Sequence, residues 1–174
     1  DSLADVVSFG VLPSTMLFTL LRDLNSLQVG LFVYLPYTAF VQTLFGAYRL
    51  AKFNIDQRDA DYFFGLPIPS AAIYFAGLYW LAHTDECISC ASAFINPYVL
   101  IVSLLFICYL MISDMPHFNL KLKGLKWKGQ EIKWIFIALV VAMSFFLKQA
   151  AVPFAIVLYI FLSLVFKPEQ AQQP

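Results

Sequence analysis

Long apolar runs alternate with short polar or proline-containing connections along this chain. A helix needs about 20 residues to cross the hydrocarbon core of a bilayer, and the apolar runs come near that length. Backbone groups in lipid must find their hydrogen bonds within the protein, so we expect each run to be a helix. The pattern predicts one all-α membrane bundle, residues 1–174, with about six transmembrane helices at 2–21, 29–52, 67–83, 97–113, 133–148 and 151–167. The last two spans are joined only by the region of Lys148 to Ala150, which predicts a tight helical hairpin.

The composition agrees with an integral membrane protein. Of 174 residues, 61% are hydrophobic and 13% are charged, and the mean hydropathy is +0.76. Soluble domains are about 45–50% apolar and about 25% charged. The formal net charge of zero does not identify a partner. We expect membrane lipids, and no nucleic acid, around this chain.

The distribution of basic residues predicts the orientation of the bundle. Alternating the connections between the two sides of the membrane leaves only Arg22 and Lys148 on one side. Cytoplasmic loops carry an excess of Lys and Arg, so the opposite side, which also carries Asp1, is expected to face the cytoplasm. The basic run at 121–133 is interpreted as a topology anchor that attracts anionic headgroups. The nine basic residues on the Asp1 side are Arg49, Lys52, Arg58, Lys121, Lys123, Lys126, Lys128, Lys133 and Lys167.

Two carboxylates at the start of the first apolar run are the strongest candidates for chemistry. Asp1 and Asp5 are four residues apart, so a regular helix places them on one face, followed on that face by Ser8 and Leu12. A charge well inside a bilayer costs about 2.5–3.5 kcal/mol on insertion scales. A bound Mg²⁺ or Mn²⁺ ion compensates this cost, because carboxylate oxygens are preferred ligands of both. The alternative is a helix end at which both carboxylates are simply solvated.

Two carboxylates do not complete the coordination shell of such an ion. We expect further ligands from the loop carboxylates Asp56, Asp59 and Asp61, or from residues upstream of this sequence. A cation-coupled transporter also carries carboxylates within its spans, but it is expected to show paired halves with broken helices. The chain shows no such halves. A structural membrane subunit would have no use for Asp5.

Arg49 is the candidate substrate-binding residue. It lies near the end of the second apolar run, on the same side as the aspartates, and a guanidinium there can hold a phosphate through two hydrogen bonds. The alternative is snorkelling of the side chain toward headgroups, which is the interpretation preferred for Lys52. Cys87 and Cys90 form a CxxC pair whose role stays open between a disulfide and two incidental thiols.

Three stretches of the sequence resemble a known family. The segment DSLADVVSFGVLPS resembles the second half of the signature of the CDP-alcohol phosphatidyltransferases, and Asp1 and Asp5 match its closing DxxxD. The segments RLAKFN and YFFGLPIPSAA are similar to the bacterial phosphatidylserine synthase branch. The resemblance covers roughly the first 75 residues. The first half of the signature, DxxDGxxAR, is expected upstream of Asp1, with about eight spans in the full protein and an inactive fragment in its absence.

The resemblance implies a specific reaction and a division of roles. It implies transfer of a phosphatidyl group from CDP-diacylglycerol to L-serine, giving phosphatidylserine and CMP, with two divalent ions (Mg²⁺ or Mn²⁺). Asp1 would be a shared ligand of both ions, and Asp5 would bind one ion and act as general base. A homodimer in the bacterial cytoplasmic (inner) membrane, with its active site facing the cytoplasm, is expected. Glycerol phosphate, inositol phosphate or choline remain alternative acceptors.

Overall fold

The computed structural model describes residues 2–24, 30–55, 62–84, 94–113, 115–118 and 131–165. Nearly all of them are helical, which confirms the helical fold class. The α-helices are α1 (Ser2–Asp5), α2 (Leu12–Leu24), α3 (Val41–Ile55), α4 (Ile68–Ala82), α5 (Pro97–Ile112), α6 (Glu131–Leu147) and α7 (Ala151–Val165).

Two of the helical stretches are composite. A π-helical segment, Val6–Val11, joins α1 to α2 without a break, and we call residues 2–24 the first rod. A 3-10 helix, Gly30–Phe40, continues directly into α3, and we call residues 30–55 the second rod. Pro36 lies inside the 3-10 helix and has no N–H to donate, which disfavours a regular α-helix there.

The first and second rods pack antiparallel. The Phe18 ring centroid lies 5.2 Å from that of Tyr37 and 5.8 Å from that of Phe40. Gly10, further toward the start of the first rod, faces Thr43, which is further along the second. Because residue numbers rise along one rod as they fall along the other, the end of α3 lies near the start of the first rod.

The connection between α6 and α7 is the hairpin that the sequence predicts. A single 3-10 turn, Lys148–Ala150, separates the two helices, and Lys148 has a φ of 47°. The ring centroids of Phe136 and Tyr159 are 6.0 Å apart, although 23 positions separate these residues in the chain. A straight helix of that length would hold them about 35 Å apart. The two helices therefore run antiparallel.

The helices are apolar on the outside as well as the inside. The buried core comprises residues such as Leu17, Leu21, Phe75, Leu78 and Leu104. The outer face of α5 exposes a continuous apolar stripe, and a helix that is apolar all round is typical of a membrane protein. This stripe contains Tyr98, Val102, Leu105, Phe106 and Tyr109.

Two stretches of the described residues are long and apolar enough by themselves to cross a bilayer. They are Leu3–Leu24 and Ile132–Val165, and the second contains the α6–α7 hairpin. Ile68–Ala82 and Pro97–Ile112 are shorter apolar helices. The number of six transmembrane helices stays a prediction.

The structure also contains a short β-ribbon, which the sequence did not predict. The strands β1 (Tyr62–Phe64) and β2 (Pro116–Phe118) pair antiparallel, with Tyr62 opposite Phe118. Next to the ribbon, the Gly65 N–H donates to the Met115 carbonyl at 2.9 Å. The ribbon thereby ties the connection between α3 and α4 to the end of α5.

Gly65 adopts a conformation that favours glycine. Its φ is +78°, and an added Cβ would lie 2.7 Å from the carbonyl oxygen of Met111. Left-handed backbone costs roughly 1–2 kcal/mol for residues with a side chain, and the blocking atom belongs to the backbone of a neighbouring helix end. Gly46, in contrast, lies within α3, and its nearest neighbour to an added Cβ is a methionine methyl group at 3.8 Å.

We therefore expect Gly65→Ala to lower the free energy of unfolding in detergent by at least about 1–2 kcal/mol. The matched control Gly46→Ala is expected to be neutral or to stabilise by up to about 1 kcal/mol, because alanine is the better helix former. Denaturant titration followed by circular dichroism measures both. Equal effects of the two substitutions would contradict this view of Gly65.

Candidate active site

Asp5 is the last residue of α1 and is directly followed by the π-helical segment. Its side chain is partly buried, and within the described part of the chain no hydrogen bond or ion pair engages its carboxylate. With respect to the part of the chain that the structure describes, the carboxylate is therefore uncommitted at the start of a long apolar helix. Asp1, the other predicted metal ligand, lies outside the described residues.

The π-helical segment changes which residues share the face of Asp5. The Leu12 N–H bonds to the Val7 carbonyl, five residues back, where an α-helix would reach back four. One extra residue in a turn rotates the remainder of the helix by about 100°. Asp5 and Leu12 therefore do not share one face. The prediction that they do is wrong, because it assumed a regular α-helix.

A buried polar cluster connects the π-helical segment to the second rod. The Gln42 Nε2 atom donates to the Phe9 carbonyl at 3.5 Å, and Gln42 Oε1 accepts from Ser14 Oγ at 3.5 Å. Thr43 Oγ1 donates to Ser14 Oγ at 2.8 Å. The side chains of Gln42 and Ser14 are fully buried. We call Ser14, Gln42 and Thr43 the Gln42 cluster.

Arg49 lies buried at the same end of the bundle as Asp5. Its side chain is 8% exposed, which excludes snorkelling into the headgroup region. The Nη2 atom donates to the Gly65 carbonyl at 3.1 Å, and the buried Nε atom has no hydrogen-bond partner among the described residues. The guanidinium therefore keeps donor capacity for another group. Lys52, one turn further along, reaches the Ile112 carbonyl at 3.5 Å.

Two hydroxyl-bearing residues of α7, missed by the sequence analysis, belong to the same region. Tyr159 lies close to Arg49, and Ser163 follows one helical turn later. Both residues are 2% exposed, and the Ser163 hydroxyl lies next to that of Tyr159. Their spacing of four residues in an apolar helix is the only signal the sequence offered.

The structure places Asp5 and Arg49 at one end of the bundle but shows no direct interaction between them in the described ranges. It also shows no group of three or more His, Cys, Asp or Glu side chains there that could hold a metal ion. The uncommitted carboxylate of Asp5 fits the role of one oxygen ligand. The other predicted donors, Asp1 and the acids at 56, 59 and 61, lie outside the described residues.

Comparison with known proteins identifies the family. The chain is 36% identical over 122 residues to a CDP-diacylglycerol–serine O-phosphatidyltransferase of Bacillus subtilis, covering 68% of this chain and 58% of that protein. A protein with the same name in Helicobacter pylori J99 is 43% identical over 75 residues, which is 42% of this chain and 29% of the relative. The chain belongs to the CDP-alcohol phosphatidyltransferase family, in its phosphatidylserine synthase branch.

This membership confirms the resemblance seen in the sequence. An archaetidylserine synthase of Methanothermobacter thermautotrophicus is also similar, at 33% identity over 105 residues, covering 59% of this chain and 41% of that protein. The chain thus spans between 29% and 58% of the length of these three relatives. No family model and no solved structure matches it.

Proposed function

We propose that the protein transfers a phosphatidyl group from CDP-diacylglycerol to the hydroxyl of L-serine, giving phosphatidylserine and CMP. The observation that carries the proposal is the Asp5 carboxylate, which no described residue engages, at the bundle end that also holds the buried Arg49 guanidinium. The relatives' names supply the substrates, since they specify CDP-diacylglycerol and serine, and the archaeal relative is also named as a serine-lipid synthase.

In the proposed reaction the serine oxygen forms a bond to the phosphorus that carries the diacylglycerol. The bond from this phosphorus to the CMP oxygen breaks, and CMP leaves with the bonding electrons. Asp5 takes the proton of the serine hydroxyl as the new bond forms, which is the role of a positioned general base. Its place at the start of an apolar helix suits a donor whose acyl tails stay in lipid.

We further propose that Asp1 and Asp5 bind divalent cations, with Asp1 shared between two ions. Mg²⁺ and Mn²⁺ both fit oxygen donors of this kind. When bound, such ions neutralise the pyrophosphate and stabilise the departing CMP. The chain itself contributes the carboxylates of Asp1 and Asp5, and Asp5 also acts as the general base.

Arg49 is proposed to bind an anionic group of a substrate, either the serine carboxylate or a phosphate. A guanidinium offers five N–H donors, and in the described residues only Nη2 has a hydrogen-bond partner given by the structure, the Gly65 carbonyl. A carboxylate or phosphate bound by two parallel hydrogen bonds would satisfy the buried Nε atom. The Ser163 hydroxyl, buried one helical turn after Tyr159 on α7, is a further polar group of this region.

We propose that the active site faces the cytoplasm in the bacterial inner membrane, and that the enzyme is a homodimer. The excess of basic residues on the Asp1 side supports the orientation. The exposed apolar surface of the helices supports a membrane location. The homodimer rests on the resemblance to the family alone.

Asp5→Asn is expected to lower kcat by at least about 100-fold, the range of a lost general base. The assay uses the full-length protein in detergent, including any sequence upstream of Asp1, with CDP-diacylglycerol and labelled serine. It is run with Mn²⁺, with Mg²⁺ and with chelator, and chelator is expected to abolish activity. The control Asp23→Asn changes an exposed carboxylate that pairs with Arg22, and it should retain wild-type activity. Activity that persists in Asp5→Asn would remove this residue as the base.

Arg49→Ala is expected to raise the KM for serine about tenfold or more, the effect of losing a charged hydrogen bond of about 1.5–3 kcal/mol. The KM for CDP-diacylglycerol should stay unchanged if the bound group is the serine carboxylate. Lys52→Ala is the matched control, because it removes a positive charge one turn away. Unchanged serine kinetics in Arg49→Ala would refute a contact with the serine carboxylate, and unchanged kinetics for both substrates would refute a substrate contact.

The orientation predicts where cysteines can be labelled. Of the three cysteines, Cys108 is buried in α5, whereas Cys87 and Cys90 belong to the connection expected on the external side. After mild reduction, a membrane-impermeant maleimide should label the protein in intact spheroplasts, and Cys87→Ser with Cys90→Ser should abolish this labelling. Labelling that requires inside-out vesicles would reverse the proposed topology.

A further inference from the structure

The π-helical segment between Asp5 and α2 depends on contacts from the second rod. Such segments are rare in proteins and often lie at functional sites. Here the segment receives a side-chain hydrogen bond from outside its own helix, from Gln42 Nε2 to the carbonyl of Phe9. We propose that Gln42 is a positioning residue that holds this turn and thereby sets the direction of the Asp5 carboxylate. The inference rests on the proposed role of Asp5 as metal ligand and base.

Gln42 is itself fixed in place by its neighbours. Ser14 donates to its Oε1 atom, and Thr43 donates to Ser14, so a chain of hydrogen bonds orients the amide with Nε2 toward Phe9. Gly10 lies where the rods touch, since a Cβ at this position would be in ordinary van der Waals contact, at 3.6 Å, with the Cα atom of Thr43. The fully buried Gln42 amide therefore donates its hydrogen bond to the π-helical turn.

The turn determines where Asp5 points. If the segment relaxed to a regular α-helix, residues 2–5 would rotate by about 100° about the helix axis relative to α2. That rotation would carry Asp5 to a different side of the first rod. Gln42 contacts Phe9, four residues along the chain from Asp5, so its effect on Asp5 acts through the backbone of the turn.

A purely structural role for Gln42 makes a different prediction. Interhelical hydrogen bonds within membrane proteins contribute only about 0.6 kcal/mol on average. Loss of one such bond should lower stability slightly and leave metal binding unchanged. A positioning role should instead weaken metal binding well beyond any loss of stability.

The test measures Mn²⁺ binding to the full-length protein in detergent, using the electron paramagnetic resonance signal of free Mn²⁺. Gln42→Met keeps the length of the side chain but removes both hydrogen-bonding groups. We expect it to raise the Mn²⁺ Kd at least about fivefold, equivalent to about 1 kcal/mol, and to lower kcat with little change in the KM for serine. Thr38→Ala, on the same rod, removes a hydroxyl that bonds to the Leu35 carbonyl of its own helix and is the matched control.

Two further variants keep the inference testable if Gln42→Met does not fold. Ser14→Ala removes the donor to Gln42 Oε1 at a site that accepts a small side chain, and it should raise the Mn²⁺ Kd about twofold. Deletion of Val7, an exposed residue of the segment, removes the extra residue, so a regular α-helix would hold residues 2–5 in their native direction without help from Gln42. The deletion should keep the Mn²⁺ Kd within about twofold of the wild type, also when Gln42→Met is added. Val7→Ala is its control and should bind Mn²⁺ as the wild type does.

The outcomes separate this inference from the proposed function. Wild-type Mn²⁺ affinity in Ser14→Ala or in a folded Gln42→Met protein would overturn the positioning role, and so would an effect of Gln42→Met that persists undiminished in the Val7 deletion. If Asp5→Asn abolishes Mn²⁺ binding in the same experiment, the proposed function survives that result. If the wild type does not bind Mn²⁺, or Asp5→Asn binds it normally, the metal-ligand role of Asp5 fails, and the inference fails with it.

Discussion

A hydrogen bond from Arg49 Nη2 to the carbonyl of Gly65 joins the ends of three helices. Arg49 belongs to the last part of α3, Gly65 precedes α4, and the backbone around Gly65 bonds to the end of α5 through Met115 and Leu110. Only a glycine fits at this point, because a Cβ would meet the backbone carbonyl of Met111. The position of the buried guanidinium therefore depends on a single turn.

The same junction satisfies polar groups that lipid cannot satisfy. Helix ends leave backbone carbonyls without partners, and the end of α5 also carries the negative end of the helix dipole. Lys52 reaches the carbonyl of Ile112, while the N–H of Leu66 bonds to the carbonyl of Leu110. Lys52 thus contacts the end of α5. It is also one of the basic residues that predict the orientation of the chain in the membrane.

The sequence predicted the parts of the molecule that local pattern controls. Hydropathy located the helices and the α6–α7 hairpin, and a carboxylate flanked by apolar residues drew attention to Asp5. The β-ribbon escaped prediction because each strand has three residues, too few to show a period of two. The π-helical segment escaped because its support comes from Gln42, which is remote in sequence. Tyr159 and Ser163 acquire their place beside Arg49 only through the packing of α7.

The burial of Arg49 is itself an argument about function. A charge taken out of water costs several kcal/mol unless a partner compensates it, and among the described residues its polar neighbours are a backbone carbonyl and a tyrosine. Neither carries the full negative charge that would balance a guanidinium. A site that binds an anionic substrate would carry this cost in the free protein, and the cost would be offset when the anion arrives. Since a ligand that binds only the folded state also stabilises it, the free protein is expected to be the less stable form. Within the described ranges the charge of Arg49 has no full counter-charge, which is consistent with a site completed by its substrate.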